Sequence, residues 1–339
     1  MSEGEELLRG LCFAQSPLPV SSRQDLRNSY STKCTLSVSG SEREHQFHLP
    51  YFVRHLTPSE LGISWVSICN VLRQHGIPIF SSVAALQEVP AASAPARWGM
   101  RYINEPIDGM EVTTADAFEL SCQDRSRKEW GWSSELRPEQ MGALVSAVRE
   151  AAGGDIPIGI SLPLGAHDDD LRHVLAAGAD FISLIARTAR LQATDVHGLV
   201  HCRKLANHMS QNYLPILVTA KLSSQEQAHK LLALGASAVC IDDLLRPLIA
   251  AALEARSTNN ISGTGMLSGM MPLASPKLPV LTNVSTALID FQQQLVERLN
   301  SVGARDLRSF TSDVLRSCSQ QAQQITGVAP LVMPYMAQG

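Results

Sequence analysis

Three groups of polar residues directly follow apolar runs, where a strand would meet its loop. They are, in chain order, GAHDDD (165 to 170), AKLSS (220 to 224), and the pair Asp242 and Asp243. Parallel α/β sheets bind ligands at the carboxyl ends of their strands, so these groups are the first candidates for a functional site.

The acidic group GAHDDD offers an imidazole, His167, and three carboxylates, which are metal ligands by type. The alternative is that Asp168 or Asp169 caps the helix that follows and stabilises its positive end. We favour the cap and predict no metal site.

The second group combines the positive charge of Lys221 with Ser223 and Ser224 at a predicted helix start. A helix start is a common place to bind an anion. The same residues also suit a helix cap beside a solvated lysine, so both interpretations stay open.

Two further cations, Arg187 and Arg190, follow another apolar run. They either add to an anion site or pair with the aspartates of the third group. A network of arginine and aspartate would close the site against a ligand, and we favour this network slightly.

Composition limits the class of protein. The 339 residues are 45% hydrophobic and 18% charged, with a net charge of -4, which is typical of a globular chain without a basic surface for nucleic acid. The seven cysteines are scattered without zinc-ligand spacing, as expected of free thiols in a reducing cytoplasm. No signal-peptide pattern or membrane-length apolar run is found, so we expect a cytoplasmic protein that does not bind membranes.

The elements that would position these residues repeat one pattern. In AAGADFISLIA (176 to 186) and LALGASAVCID (232 to 242), a glycine ends a predicted helix directly before an apolar strand. The runs at 156 to 162 and 214 to 220 also precede helical segments. Continuous apolar runs of this kind suit parallel strands covered on both faces.

Upstream, a helix is predicted at 62 to 76, and four further strands are predicted at 49 to 56, 77 to 82, 97 to 103 and 110 to 114. Eight strands separated by helices favour a (β/α)8 barrel, with an open doubly wound sheet as the alternative.

The predicted organisation has four parts. They are an N-terminal arm with a short hairpin (1–48), the barrel core (49–255), a loop excursion (256–286) and a C-terminal helical extension (287–339). In the extension, Leu288, Phe291, Leu295 and Leu299 share one helix face, and Gly303 lies just beyond.

From about residue 130 to 315 the sequence resembles the FMN-binding (β/α)8 barrel domain of the glutamate synthase family. The likeness is carried by PEQMGALVSAVREAAGGDIPIGISL, GADFISLIA, LALGASAVCIDDLLRPLIAA and ALIDFQQQLVERLNSVGARDLRSF. The resemblance implies the same barrel, FMN as the cofactor and an oxidoreductase ancestry.

Some positions depart from that family's pattern around the flavin ring. Ser161 stands where the family bears a lysine that reaches the ring, and a hydroxyl cannot supply that positive charge. The segment from Arg187 to Arg190 replaces a glycine-rich HDGGTG. The segment ADAFELSCQ (115 to 123) replaces a glycine-rich loop expected after the strand at 110 to 114.

Other departures concern the FMN phosphate. Ala220 and Lys221 replace paired glycines, and Asp242 and Asp243 replace a small residue after the last strand. Two carboxylates repel a phosphate dianion unless cations intervene. Residues 241 to 317 contain no cysteine, so no iron–sulfur cluster is expected.

We therefore predict a glutamate-synthase-like barrel with a degenerate flavin site, acting as a pseudoenzyme that binds a small anionic molecule or a partner protein. The alternative is an active FMN-dependent oxidoreductase with an altered cofactor site. Catalytic residues cannot be named from the sequence. The predicted positions of the degenerate site are Ser161, Arg187, Lys221, Ser223, Asp242 and Asp243.

Overall fold

A computed structural model of the protein describes most of the chain. The described residues are 2–15, 30–37, 44–54, 56–81, 97–102, 115–124, 129–130, 140–154, 156–166, 168–188, 190–209, 213–261 and 279–331.

The described strands fall into one large sheet and three two-stranded ones. The strands are, in chain order, β1 (Leu11–Phe13), β2 (Cys34–Ser37), β3 (Glu44–Phe47), β4 (Tyr51–Phe52), β5 (Ile79–Ser81), β6 (Arg97–Tyr102), β7 (Ala117–Ser121), β8 (Gln123–Asp124), β9 (Glu129–Trp130), β10 (Ile158–Pro163), β11 (Phe181–Ile185), β12 (Ile216–Thr219), β13 (Ala238–Cys240) and β14 (Leu315–Ser317).

Helices separate many of the strands. The α-helices are Glu3–Arg9, Pro58–Leu61, Trp65–Gln74, Met141–Ala151, Asp168–Ala176, Ala193–Met209, Gln225–Ala233, Asp242–Ile261, Pro279–Val302 and Gln320–Thr326, with 3-10 turns at Gly62–Ser64 and Ser312–Val314. Within the described part of the chain, none of these helices has the length and apolar character needed to cross a membrane.

The large sheet is a closed parallel barrel, as predicted. Its eight strands follow the order β4-β13-β12-β11-β10-β7-β6-β5, and every pair is parallel. A parallel bridge between Val53 and Ile79 joins β4 to β5 and closes the sheet, supported by the hydrogen bond from Phe80 N to Val53 O at 2.7 Å. The fold is therefore a (β/α)8 barrel.

The strand predictions are confirmed for seven of the eight barrel strands. The glycines before β11 and β13, Gly178 and Gly235, have positive φ angles of 75° and 119°, as expected at a helix end. The strand predicted at 110 to 114 lies outside the described residues. The corresponding barrel strand is β7. It lies within ADAFELSCQ (115 to 123), the segment predicted to replace a glycine-rich loop.

The N-terminal arm seals one end of the barrel. The predicted hairpin is present, since β2 and β3 pair in antiparallel register. Cys34 and Leu36 of this hairpin pack with Phe52, Phe80 and Phe181 in a separate apolar cluster inside the barrel. These side chains close the end at which the strands begin, and leave the opposite end as the place for a ligand.

The C-terminal helix Pro279–Val302 covers the outside of the barrel. The four apolar residues predicted to share its inner face are all buried. Gly303 follows with a φ of 75°. The excursion predicted at 256 to 286 is partly helical, because the two flanking helices reach Ile261 and begin at Pro279.

A buried histidine joins another outer helix, Gln225–Ala233, to the barrel wall. His229 is 2% exposed, and its Nε2 lies 3.1 Å from the hydroxyl of Tyr51 in β4. Burial lowers the pKa of His229 to about 3, and the positive charge of Arg298 adds to this effect. The imidazole is therefore neutral in the folded protein at neutral pH.

This depressed pKa makes stability depend on pH. The unfolded chain binds a proton at His229 below its ordinary pKa of 6.5, whereas the folded protein does so only near 3. The contribution of a neutral His229 is complete above pH 6.5 and falls by up to about 1.4 kcal/mol per pH unit as the pH drops toward 3. In urea unfolding series from pH 7 to 4, His229→Gln should lose stability less steeply than the parent. The exposed control His208→Gln should follow the parent; equal slopes for all three proteins would contradict a buried neutral His229.

Candidate functional site

The inner face of the barrel is apolar near the sealed end and polar above it. Side chains alternate between the two faces of a strand, so residues two positions after the inner apolar ones also point inward. The lower level contains Phe52, Phe80, Phe181 and Leu217. The polar level, two residues further along each strand, contains Arg54, Glu119, Ser161, Ser183 and Thr219.

A buried ion pair crosses this polar level. Arg54 donates from Nη1 to Oε1 of Glu119 at 3.0 Å and from Nη2 to Oε2, which forms a two-pronged contact. Nη2 also donates to the hydroxyl of Ser183 at 2.9 Å, and the guanidinium lies 4.6 Å from the centre of the Phe80 ring. The side chains of Arg54 and Glu119 are 2% and 0% exposed. A charge so deeply buried is stable only with such a partner.

Asp242 holds the backbone of Arg54 in place. Its Oδ1 accepts a hydrogen bond from Arg54 N at 3.0 Å, and the carboxylate is buried. The sequence predicts a loop at Asp242 and Asp243, but the two residues form the first turn of the helix Asp242–Ile261. Negative charge is favourable at that end of a helix, which is a structural reason for the two aspartates.

The last residue of β13, Cys240, places its thiol near the carboxylate of Asp242. Cys240 is buried inside the barrel, and burial together with the charge of Asp242 raises its pKa well above the ordinary value. The thiol is therefore protonated at neutral pH, and it does not have the reactivity of a catalytic thiolate.

Two hydroxyls on the polar level have no hydrogen-bond partner among the described residues. They are Ser161 Oγ and Thr219 Oγ1, both buried. Ser161 lies beside Ser183 in register, and Thr219 lies two residues after the inward Leu217. A buried hydroxyl without a partner costs free energy, so these two positions are candidates for contact with a ligand.

Two of the predicted cations, Arg187 and Lys221, lie at the same rim of the barrel. Arg187 follows β11 and Lys221 follows β12, and these strands are neighbours with Ile185 opposite Thr219. Both side chains are exposed. Arg187 forms no ion pair with Asp242 or Asp243 within the described part of the chain. Asp242 instead accepts a hydrogen bond from the backbone N–H of Arg54, and both aspartates act electrostatically on Arg246.

The serines beside Lys221 serve the helix that follows them. Ser224 caps Gln225–Ala233, because its hydroxyl accepts from Gln227 N. Ser223 N donates to the side chain of Gln227 at 2.9 Å. This helix start is therefore satisfied by its own residues, as the cap interpretation predicts.

The acidic group after β10 also behaves as a helix start. Asp168, Asp169 and Asp170 form the first turn of Asp168–Ala176, and His201 Nε2 lies 2.7 Å from Asp168 Oδ1 at the surface. His167 lies outside the described residues. Among those described, no group of three or more metal-binding side chains has the geometry to hold an ion.

Comparisons with known proteins establish the fold. No family model matches the sequence, and neither does any curated protein. Among solved structures, a mandelate oxidase bound to 2-hydroxy-phenylacetamide is 15% identical with a TM-score of 0.58, covering 91% of this chain and 86% of that one. An active chimera of (S)-mandelate dehydrogenase is 14% identical with a TM-score of 0.61, covering 93% and 90%. A mandelate oxidase solved with a monooxide FMN adduct is 13% identical with a TM-score of 0.57, covering 90% and 87%.

The protein is thus a (β/α)8 barrel similar in fold to those of the mandelate oxidases and dehydrogenases, with a polar level inside the barrel. Identity of this size establishes the fold alone. Kinship with the glutamate synthase family stays a prediction.

Sequence reasoning missed the central residues Arg54, Glu119 and Ser183. A signal was present, because each of the first two is a single charged residue at or inside a short apolar run, PYFVR and AFELS. A charge in such a position is buried only when another charge compensates it.

The ion pair predicts a large difference between two glutamates. Glu119→Gln should lower the free energy of unfolding by about 3 to 5 kcal/mol, because it leaves the charge of Arg54 buried without a counter-charge. The control Glu60→Gln removes an exposed pair with Arg246, with a Nη1–Oε1 distance of 3.0 Å, and should cost at most about 1 kcal/mol. Urea unfolding at neutral pH measures both. Similar small losses would show that the Arg54–Glu119 pair is not a determinant of the fold.

Proposed function

We propose that the protein is a small-molecule-binding barrel of flavoenzyme ancestry, related to the glutamate synthase group. In this proposal the ligand is a small anion held at the rim by Arg187 and Lys221, and FMN is not held in the usual way. The observation that supports the proposal is the buried Arg54–Glu119 pair. The two charges of the polar level neutralise each other there. Among the described residues, the exposed cations at the rim are the charged groups next to this level that the pair does not engage.

The two helix starts next to the last strands are unfavourable for an FMN phosphate. At one start, the carboxylates of Asp242 and Asp243 provide negative charge where a phosphate would have to bind. At the other start, Ser224 already accepts the backbone N–H that a phosphate would use. Neither helix start therefore favours the FMN phosphate through its backbone N–H groups.

The polar level is also unfavourable for the flavin ring, because it lacks the positive charge that the resemblance implies at Ser161. Ser161 supplies a hydroxyl in place of the lysine that the resemblance implies, and the guanidinium of Arg54 is already engaged by Glu119 and Ser183. Within the described part of the polar level, Arg54 is thus the cation nearest to where a flavin ring would lie, and it is engaged by Glu119 and Ser183.

The two rim cations, Arg187 and Lys221, are placed to bind an anion. Neighbouring parallel strands are about 4.8 Å apart, so side chains that follow β11 and β12 can reach the same small ligand. The long flexible side chains of Arg187 and Lys221 are exposed, and the charge of Arg187 also acts on the buried Asp195 nearby. A carboxylate or phosphate group is the chemistry that both cations recognise.

A second candidate is an FMN-dependent oxidoreductase with an altered cofactor site. It is favoured by likeness to mandelate oxidase and (S)-mandelate dehydrogenase over about nine tenths of each chain. It is also favoured by Ser161 and Thr219, whose buried hydroxyls are oriented into the barrel.

Thermal unfolding with inorganic phosphate tests the first candidate. The melting temperature of the parent should rise with phosphate when compared at equal ionic strength, because a ligand that binds only the folded state stabilises it. Arg187→Ala and Lys221→Ala should each lose this rise. Arg73→Ala, an exposed control on the helix Trp65–Gln74, should keep it. If all four proteins respond alike, or none responds, the rim is not an anion site.

Titration of the same parent protein with FMN separates the two candidates. We expect weak binding or none, and no visible flavin absorbance in the protein purified with FMN in the buffer. Flavin retained at close to one equivalent would establish the second candidate and overturn the first.

A further inference from the structure

Two of the seven cysteines are close together at the surface. The sulfur atoms of Cys12 and Cys318 are 3.3 Å apart, although the residues are separated by 306 positions in the chain. Cys318 is exposed and Cys12 is half-buried, whereas the other five cysteines are buried. A small oxidant therefore reaches this pair before any other thiol.

The backbone holds the pair in a fixed arrangement. β1 and β14 are antiparallel, with Leu11 opposite Ser317, and Cys318 N donates to Gly10 O at 2.7 Å. Cys12 and Cys318 thus lie diagonally across two hydrogen-bonded segments. A disulfide needs about 2.0 Å between its sulfur atoms, so the two sulfur atoms must approach each other further before the bond forms.

The surroundings assign different parts to the two thiols. Burial raises the pKa of Cys12, and its hydrogen bond with Cys318 adds to this, while the positive charges of Lys230 and Arg316 act in the opposite direction. The exposed Cys318 is the thiol that meets an oxidant first. Cys12, shielded but adjacent, is placed to attack the sulfur of Cys318 afterwards.

We propose that Cys12 and Cys318 form a reversible disulfide by exchange with a low-molecular-weight disulfide such as oxidised glutathione. The thiolate of Cys318 attacks one sulfur of the oxidant, breaks its S–S bond and releases one glutathione thiolate. The thiolate of Cys12 then attacks the Cys318 sulfur of this mixed disulfide and releases the second glutathione. Two protein thiols are oxidised, one oxidant disulfide is reduced, and the two protons pass to the released thiolates.

The disulfide would join the two ends of the described chain. β1 follows the helix Glu3–Arg9, and Gly4 N of that helix donates to Leu191 O at 3.1 Å. Leu191 belongs to the connection after β11 that also carries Arg187. A cross-link over so long a loop restricts the unfolded chain strongly, so the oxidised protein should be the more stable form.

The test uses the full-length native protein, treated with oxidised glutathione and then alkylated in denaturant. We expect one cross-linked peptide containing Cys12 and Cys318, with the five buried cysteines still alkylated. The melting temperature of the oxidised protein should exceed that of the reduced protein by roughly 5 °C or more, and reductant should reverse the shift.

The single variants supply the matched controls. Cys12→Ser should stop at the mixed disulfide, with one glutathione on Cys318, and neither Cys12→Ser nor Cys318→Ser should show the rise in melting temperature. The proposal is overturned if both thiols of the native parent stay open to alkylation after oxidation. It is equally overturned if each carries its own glutathione, or if the cross-link forms only in unfolded protein.

Discussion

The Arg54–Glu119 ion pair is the constraint on which the interior of this barrel depends. Two opposite charges lie at 2% and 0% exposure between strands that begin the barrel and strands in its middle. Removing such charges from water is costly, and the cost is offset only when the geometry satisfies both groups. The two-pronged contact, the hydroxyl of Ser183 and the ring of Phe80 provide that geometry.

The surrounding structure supports this pair from three directions. Asp242, at the start of a helix, fixes the backbone N–H of Arg54. Phe181 fills the level below, and Gly159 makes room for it, since a Cβ there would lie 2.1 Å from the ring. The hairpin of β2 and β3 covers the lower end. Access to the barrel is therefore left to the rim, where Arg187 and Lys221 lie.

Much of the fold could be predicted from the sequence, because it depends on local patterns. Apolar runs preceded by glycine predict β11 and β13. The same glycines, which favour helix ends, predict the helices before these strands. β7 was missed because AFELS is short and carries Glu119 at its centre, so it lacks the continuous apolar run of the other strands. The candidate site was harder still. Glu119 and Arg54 are 65 positions apart, and only the closed sheet brings them together.

The rim illustrates the same difference. That Arg187 and Lys221 share one end of the barrel follows from the order of parallel strands, and could be predicted. That Asp242 contacts the backbone of Arg54 could not, because the pairing of β13 with β4 joins the last barrel strand to the first. The position of Asp242 at a helix start, in contrast, could be predicted, because aspartate is favoured in the first turn of a helix.

A double-mutant cycle measures directly whether the buried charges of Arg54 and Glu119 depend on each other. Unfolding free energies are measured for the parent, Arg54→Met, Glu119→Leu and the double variant. We expect each single change to be strongly destabilising and the double variant to lose about 2 to 3 kcal/mol less than the sum of the two. Additive losses, within about 0.5 kcal/mol, would show that the two charges do not depend on each other and would contradict this expectation.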